Sequence, residues 1–119
     1  MRKKVSIVLK SNFNAVSLAH LIMRDGNYLK ERNIIRIFTN SFSKSDVLLL
    51  SNIIKENLNI ENKVMFDRNN QFIILIEKDN INKVRDLILT YMHPLMYYKL
   101  GTNLKLKEKF DYFSIINNI

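Results

Sequence analysis

Leu18-Ala19-His20-Leu21-Ile22-Met23-Arg24-Asp25-Gly26 reads as the end of an amphipathic helix followed by the residue that stops it. Ala15, Leu18, Ala19 and Ile22 fall on one stripe of a 3.6-residue period, which predicts a helix over 14–25 with an apolar face. Gly26 supplies the stop. Downstream, alternation predicts a hairpin over 27–40, with the polar turn Lys30-Glu31-Arg32-Asn33 leading into a strand from Ile34 to Asn40. Ser43 is a candidate cap for a second helix, with Asp46 in its first turn, where the helix dipole favours an anion. Val47, Leu50, Ile54 and Leu58 repeat at helical spacing. A second hairpin is predicted over 60–77, turning at Arg68-Asn69-Asn70. Asp79-Asn80 opens a third helix whose stripe is Ile81, Val84, Ile88 and Tyr91. Pro94 ends it, because the residue before a proline avoids the helical region. Helix, hairpin, helix, hairpin, helix predicts an α+β domain with an antiparallel four-stranded sheet and the helices on one face.

The chain has 119 residues, 2 Gly, 1 Pro and no Cys, with 47% hydrophobic and 25% charged residues. This is globular composition, enough for one self-standing core, and it excludes disulfide frames, thiolate metal sites and cysteine nucleophiles. The longest apolar runs, Val47–Leu50 and Phe72–Ile76, are far below the ~20 residues of a membrane span. No membrane partner is therefore expected. Met1-Arg2-Lys3-Lys4 before Val5–Leu9 lacks the length and cleavage site of a signal peptide. The formal charge of +8 points to a nucleic-acid partner. Ile, Asn and Lys make up 45 of the 119 residues, the product of AT-rich codons.

The 18–26 stretch is similar to the signature helix of the LAGLIDADG homing endonucleases. Thr39-Asn40-Ser41-Phe42-Ser43 resembles that family's strand-to-helix junction, and Tyr91-Met92-His93-Pro94-Leu95-Met96-Tyr97-Tyr98-Lys99-Leu100 resembles the segment closing the second half of its two-motif members. The resemblance covers residues 14–101 as a single αββαββα half-domain. It leaves 1–13 as a basic N-terminal extension and 102–119 as a basic and aromatic tail. It implies that the Leu18–Asp25 helix packs against the same helix of a second LAGLIDADG-like half, or against protein subunits, and that the paired sheets straddle duplex DNA. By position, Asp25 would be the catalytic and metal-binding acid and Lys99 the basic residue near the active centre. A carboxylate holding Mg²⁺ and a neighbouring cation are what hydrolysis of a phosphodiester requires.

The sequence departs from that pattern in three ways. It holds one signature motif, so it resembles a half whose partner is expected from self-association or another polypeptide. Arg24 stands where the family usually has Ala, Gly or a short acid, and His20 is bulkier than Gly; Arg24 is placed to pair with Asp25. Finally, with Ile35, Ile37 and Thr39 facing the core, the opposite sheet face shows Ile34, Arg36, Phe38 and Asn40, joined by Ile73, Leu75, Glu77, Lys63 and Met65. Duplex readout calls for Arg, Lys, Asn and Gln on that face; an apolar face with Phe38 suits base stacking on RNA or a protein partner.

Candidate nucleic-acid contacts are thus Arg36, Phe38, Asn40 and Lys63 on the sheet, Lys30 and Arg32 in the first turn, and Lys3, Lys4, Lys105 and Lys107 near the chain ends, the last four suited to sequence-independent phosphate contact. Two functions follow. The departures point to a nucleic-acid-binding descendant, weakened or inactive in cutting, serving as an RNA-binding part of an organellar ribonucleoprotein such as a mitochondrial ribosome or splicing complex. The retained Asp25 and Lys99 point to an active Mg²⁺-dependent double-strand DNA endonuclease, working as a homodimer or with a separate first half. A protein-interaction module with codon-driven charge is the third reading. AT-rich composition and the family's habit place the chain in the mitochondrial matrix or another organelle.

Overall fold

A computed structural model describes residues 12–39, 42–66 and 71–102. Helix α1 (Ala15–Asp25) starts in a reciprocal cap: the Asn14 side chain accepts from the Ser17 amide at 3.1 Å, and the Ser17 hydroxyl accepts from the Asn14 amide at 3.1 Å. At Gly26 the chain turns directly into strand β1 (Gly26–Leu29), and a tight turn with Asn33 in the left-handed region (φ 51°) leads to β2 (Ile34–Phe38). Helix α2 (Lys44–Leu58) is capped by the Ser43 hydroxyl, which accepts from the Asp46 amide at 3.3 Å, and ends on Asn59 in the left-handed conformation (φ 56°). Replacing Ser43 with alanine is expected to lower stability by about 1 kcal/mol, read as a shift in the urea midpoint with an unchanged slope.

Strands β3 (Lys63–Phe66) and β4 (Phe72–Ile76) form the second hairpin; its predicted turn at 68–70 lies outside the described residues, as does Asn40 at the predicted end of β2. All pairings are antiparallel and the strand order is β1-β2-β4-β3, so the second strand of each hairpin is central. The expected α+β architecture is the one observed.

The core lies between the sheet and the helices. Leu18, Ala19 and Ile22 of α1, Val47, Leu50, Ile53 and Ile54 of α2, and Ile35, Ile37, Ile74 and Ile76 of the central strands are all buried in it. Strand alternation therefore gave the correct facing. Thr39 is also buried, its hydroxyl donating to the Phe72 carbonyl, so the polar group it brings inside is satisfied.

The third helix differs from expectation. Helix α3 runs Lys78–Ile88, starts one residue before Asp79 with Glu77 as its cap, and buries Ile81, Val84 and Ile88. At Leu89–Tyr91 the chain tightens into a 3₁₀ turn. That change of pitch takes Tyr91 off the stripe and leaves it 49% exposed. Pro94 does not end α3. It opens a 3₁₀ helix, Pro94–Leu100, where its missing N–H is not needed, and His93 before it is extended (ψ 131°) as the proline requires.

Candidate nucleic-acid interface and helix foot

Two regions carry the polar chemistry: the C-terminal foot of α1 and the sheet face turned away from the helices.

At the foot, Asp25 is the last residue of α1. Arg24 Nε donates to Asp25 Oδ2 at 3.0 Å, with the two side chains 58% and 29% exposed. The pairing anticipated between these neighbours is therefore present. Lys99, remote in sequence, reaches the same helix end: its Nζ donates to the Met23 carbonyl at 2.6 Å. That carbonyl is one of those left unpaired at a helix C-terminus, where the dipole favours a cation. The closing segment is held here from several sides. The His93 amide donates to Met23 Sδ at 3.3 Å, and Arg85 of α3 donates from Nε to the Leu100 carbonyl at 2.8 Å and from Nη2 to the Gly101 carbonyl at 3.0 Å. Gly101 closes it with φ +70°, and a Cβ there would lie 2.3 Å from the Tyr28 ring. Arg85 was not singled out from the sequence; a basic residue in the last turn of a helix was the available signal.

The outer sheet face is ordered by the strand register. Asn27, Arg36, Leu75 and Lys63 form one row across the four strands, and Phe38, Ile73 and Met65 form the next. Ile34, Ile73 and Leu75 are buried in a second, smaller apolar cluster, with Leu29 and Phe38 packed against it. Arg36 does not point freely outward: its Nε donates to Asn27 Oδ1 at 3.2 Å and its guanidinium carbon lies 5.3 Å from the centre of the Phe38 ring. Lys63 is paired with Glu77 at 2.8 Å, both side chains exposed. Met65 is 46% exposed. Asn27, which fixes Arg36, was missed; it shares the outward parity of Leu29, which was the signal.

Lys30 and Arg32 are exposed in the β1–β2 turn. The structure thus gathers Arg36 and Phe38 on the sheet, places Lys63 two strands away from them, and brings Asp25 and Lys99 to one helix end. The candidates Lys3, Lys4, Asn40, Lys105 and Lys107 lie outside the described residues. Among the described residues no helix is long and apolar enough to cross a membrane.

The LAGLIDADG DNA endonuclease family matches residues 1–84. An intron-encoded endonuclease, ai4, of Dictyostelium discoideum is 34% identical over 94 residues, covering 78% of this chain and 58% of that protein. A probable intron-encoded DNA endonuclease 3 of Mycosarcoma maydis is 30% identical over 94 residues, covering 79% of this chain and 68% of that one. The cytochrome b mRNA maturase bI2 of Saccharomyces cerevisiae is 31% identical over 98 residues, 81% of this chain and 23% of its own. Among solved structures, the homing endonuclease I-WcaI bound to its DNA recognition sequence superposes with a TM-score of 0.75 at 28% identity, covering 83% of this chain and 46% of that one. The chain therefore spans little more than half of the Dictyostelium relative and under half of the I-WcaI chain.

Proposed function

The chain belongs to the LAGLIDADG DNA endonuclease family, and on that footing we propose that it is a nucleic-acid-binding descendant of such an enzyme, weakened or inactive in cutting. Its role in this reading is an RNA-binding component of an organellar ribonucleoprotein, such as a mitochondrial ribosome or a splicing complex. The observation that carries the reading is the outer sheet face. A surface built to read a duplex presents free donors and acceptors to base edges. Here Arg36 is tied to Asn27 and stacked on Phe38, Lys63 is tied to Glu77, and Ile34, Ile73 and Leu75 fill the space between. An aromatic ring backed by a guanidinium and framed by aliphatic side chains is a stacking platform for unpaired bases. A relative named for mRNA maturation supports an RNA partner, and the AT-rich composition supports an organellar genome.

A partner is also part of the reading. Val16, His20 and Arg24 recur every fourth residue along the exposed side of α1, the edge on which a second LAGLIDADG-like half or another protein subunit would seat.

The second reading, a Mg²⁺-dependent double-strand DNA endonuclease acting as a dimer or with a separate first half, is favoured by one observation: Asp25 and Lys99 occupy the same helix foot. It requires Arg24 to leave the Asp25 carboxylate. The two separate in one experiment on the full chain. Filter binding in EDTA is expected to show retention of single-stranded RNA that falls steeply with added salt, and incubation of supercoiled DNA with Mg²⁺ is expected to leave it uncut. Mg²⁺-dependent linearisation that disappears in Asp25→Asn would establish the endonuclease instead.

A further inference from the structure

The foot of α1 gathers two organic cations. The helix terminus carries roughly half a negative charge from its unpaired carbonyls, and Asp25 adds a full one. Against these stand Arg24, on the carboxylate at 3.0 Å, and Lys99, on the Met23 carbonyl at 2.6 Å. The local charge is already cancelled, and slightly exceeded, by side chains of the chain itself.

The family implies a divalent cation at Asp25, and the residues here do not fit one as they stand. One carboxylate oxygen of Asp25 is engaged by a guanidinium, and the Met23 carbonyl at the same helix end by an ammonium. A dication arriving at Asp25 meets the Arg24 guanidinium already on the carboxylate, with Lys99 bonded to a backbone carbonyl of the same helix end.

We propose that Arg24 is a built-in counter-ion that occupies the Asp25 carboxylate in place of a divalent metal. Lys99 completes the arrangement by holding the closing segment to the helix end. The two cations differ in permanence. Arg24 is more than half exposed and pairs with its immediate neighbour, so its hold is weak and reversible. Lys99 is half-buried and bonded to backbone across 76 residues of sequence, so it stays. Arg24 is therefore the residue whose removal exposes the site. This concerns the helix foot alone and stands or falls separately from RNA binding by the sheet.

The test is a Mn²⁺ titration of the ¹⁵N-labelled full chain, reading paramagnetic broadening of the Gly26 amide beside Asp25. Arg24→Ala is expected to reach half-broadening at roughly tenfold lower Mn²⁺ than the wild type, the gain of removing one charge next to a dication in a solvated site. Arg24→Lys keeps the charge and is expected to stay near the wild type. The Arg24→Ala gain should vanish when Asp25→Asn is added. The proposal is overturned if Arg24→Ala titrates as the wild type does, if Arg24→Lys gains as much as Arg24→Ala, or if the gain survives without the Asp25 carboxylate. Arg24 is 58% exposed, and the variant's fold is checked by its unchanged amide spectrum away from the foot.

Discussion

Ile22→Ala is expected to lower the unfolding free energy by about 2–5 kcal/mol, the largest single effect among the substitutions considered. Ile22 is fully buried on the core face of α1, and its truncation removes three carbons' worth of apolar contact and leaves a cavity that a sheet on one side and a helix on the other cannot close. Domains of this kind are stable by roughly 5–15 kcal/mol, so the loss is a sizeable share, and the thermal midpoint should fall by about 8–20 °C. The measurement is urea denaturation followed by circular dichroism, with an unchanged slope showing that stability and not the denatured state has moved. A loss under about 1 kcal/mol would mean that α1 is not seated on the sheet as described.

The same residue explains why glycine follows the helix. Gly26 has an ordinary extended conformation (φ −86°, ψ 153°), so freedom of φ is not the reason. A Cβ at that position would lie 2.5 Å from the Ile22 carbonyl oxygen and 2.8 Å from its Cγ2. The chain leaves α1 and enters β1 without an intervening loop, and only hydrogen fits where strand meets helix. The Asp-Gly pair that ends the quoted stretch is thus set by space as well as by any chemistry of Asp25.

That distinction marks what could be read from the sequence. The helical stripes and strand parities were legible because each depends on local spacing: Leu18, Ala19 and Ile22 share one stripe, and Ile35 and Ile37 alternate with Ile34 and Phe38, although with apolar residues on both faces of β2 alternation alone left open which face meets the core. The Arg24–Asp25 pair was legible because the partners are neighbours. Tyr91 was misplaced because its spacing continues the α3 stripe while the backbone has changed pitch, which no side-chain pattern records. Lys99 was assigned to the active centre by family position, but its bond to the Met23 carbonyl, and Arg85's to the carbonyls of Leu100 and Gly101, join segments far apart in the chain. Such long-range backbone acceptors have no residue-type signature. Nor could alternation tell that the outer face would hold its own buried cluster; it gave the parity of Ile34, Ile73 and Leu75, while the register that sets them side by side comes from the pairing of β2 with β4.

Phe38→Ala is expected to weaken binding of single-stranded RNA by about 1–3 kcal/mol, or roughly 5- to 150-fold, the loss of one stacked base. The ring is half-buried on the outer sheet face, packed against the Ile34, Ile73 and Leu75 cluster and backed by the Arg36 guanidinium, whose carbon lies 5.3 Å from its centre. It is held in place before any base arrives, so little ordering entropy opposes stacking. Truncation also disturbs that cluster, and the two effects must be parted. Phe38→Leu keeps an apolar side chain on the cluster but offers no π face; it should lose most of the affinity with little change in thermal midpoint. Phe38→Tyr should bind as the wild type does. Arg36→Ala should act differently again: the guanidinium contributes charge as well as stacking, so its removal should flatten the salt dependence by about one phosphate contact, whereas Phe38→Leu should leave that slope unchanged. Full affinity in Phe38→Leu would show that the face acts through shape and apolar contact, and would move the case from an RNA platform to a protein-binding surface. Loss confined to structured duplex DNA, with single-stranded RNA unaffected, would return the sheet to the duplex-reading role of its family.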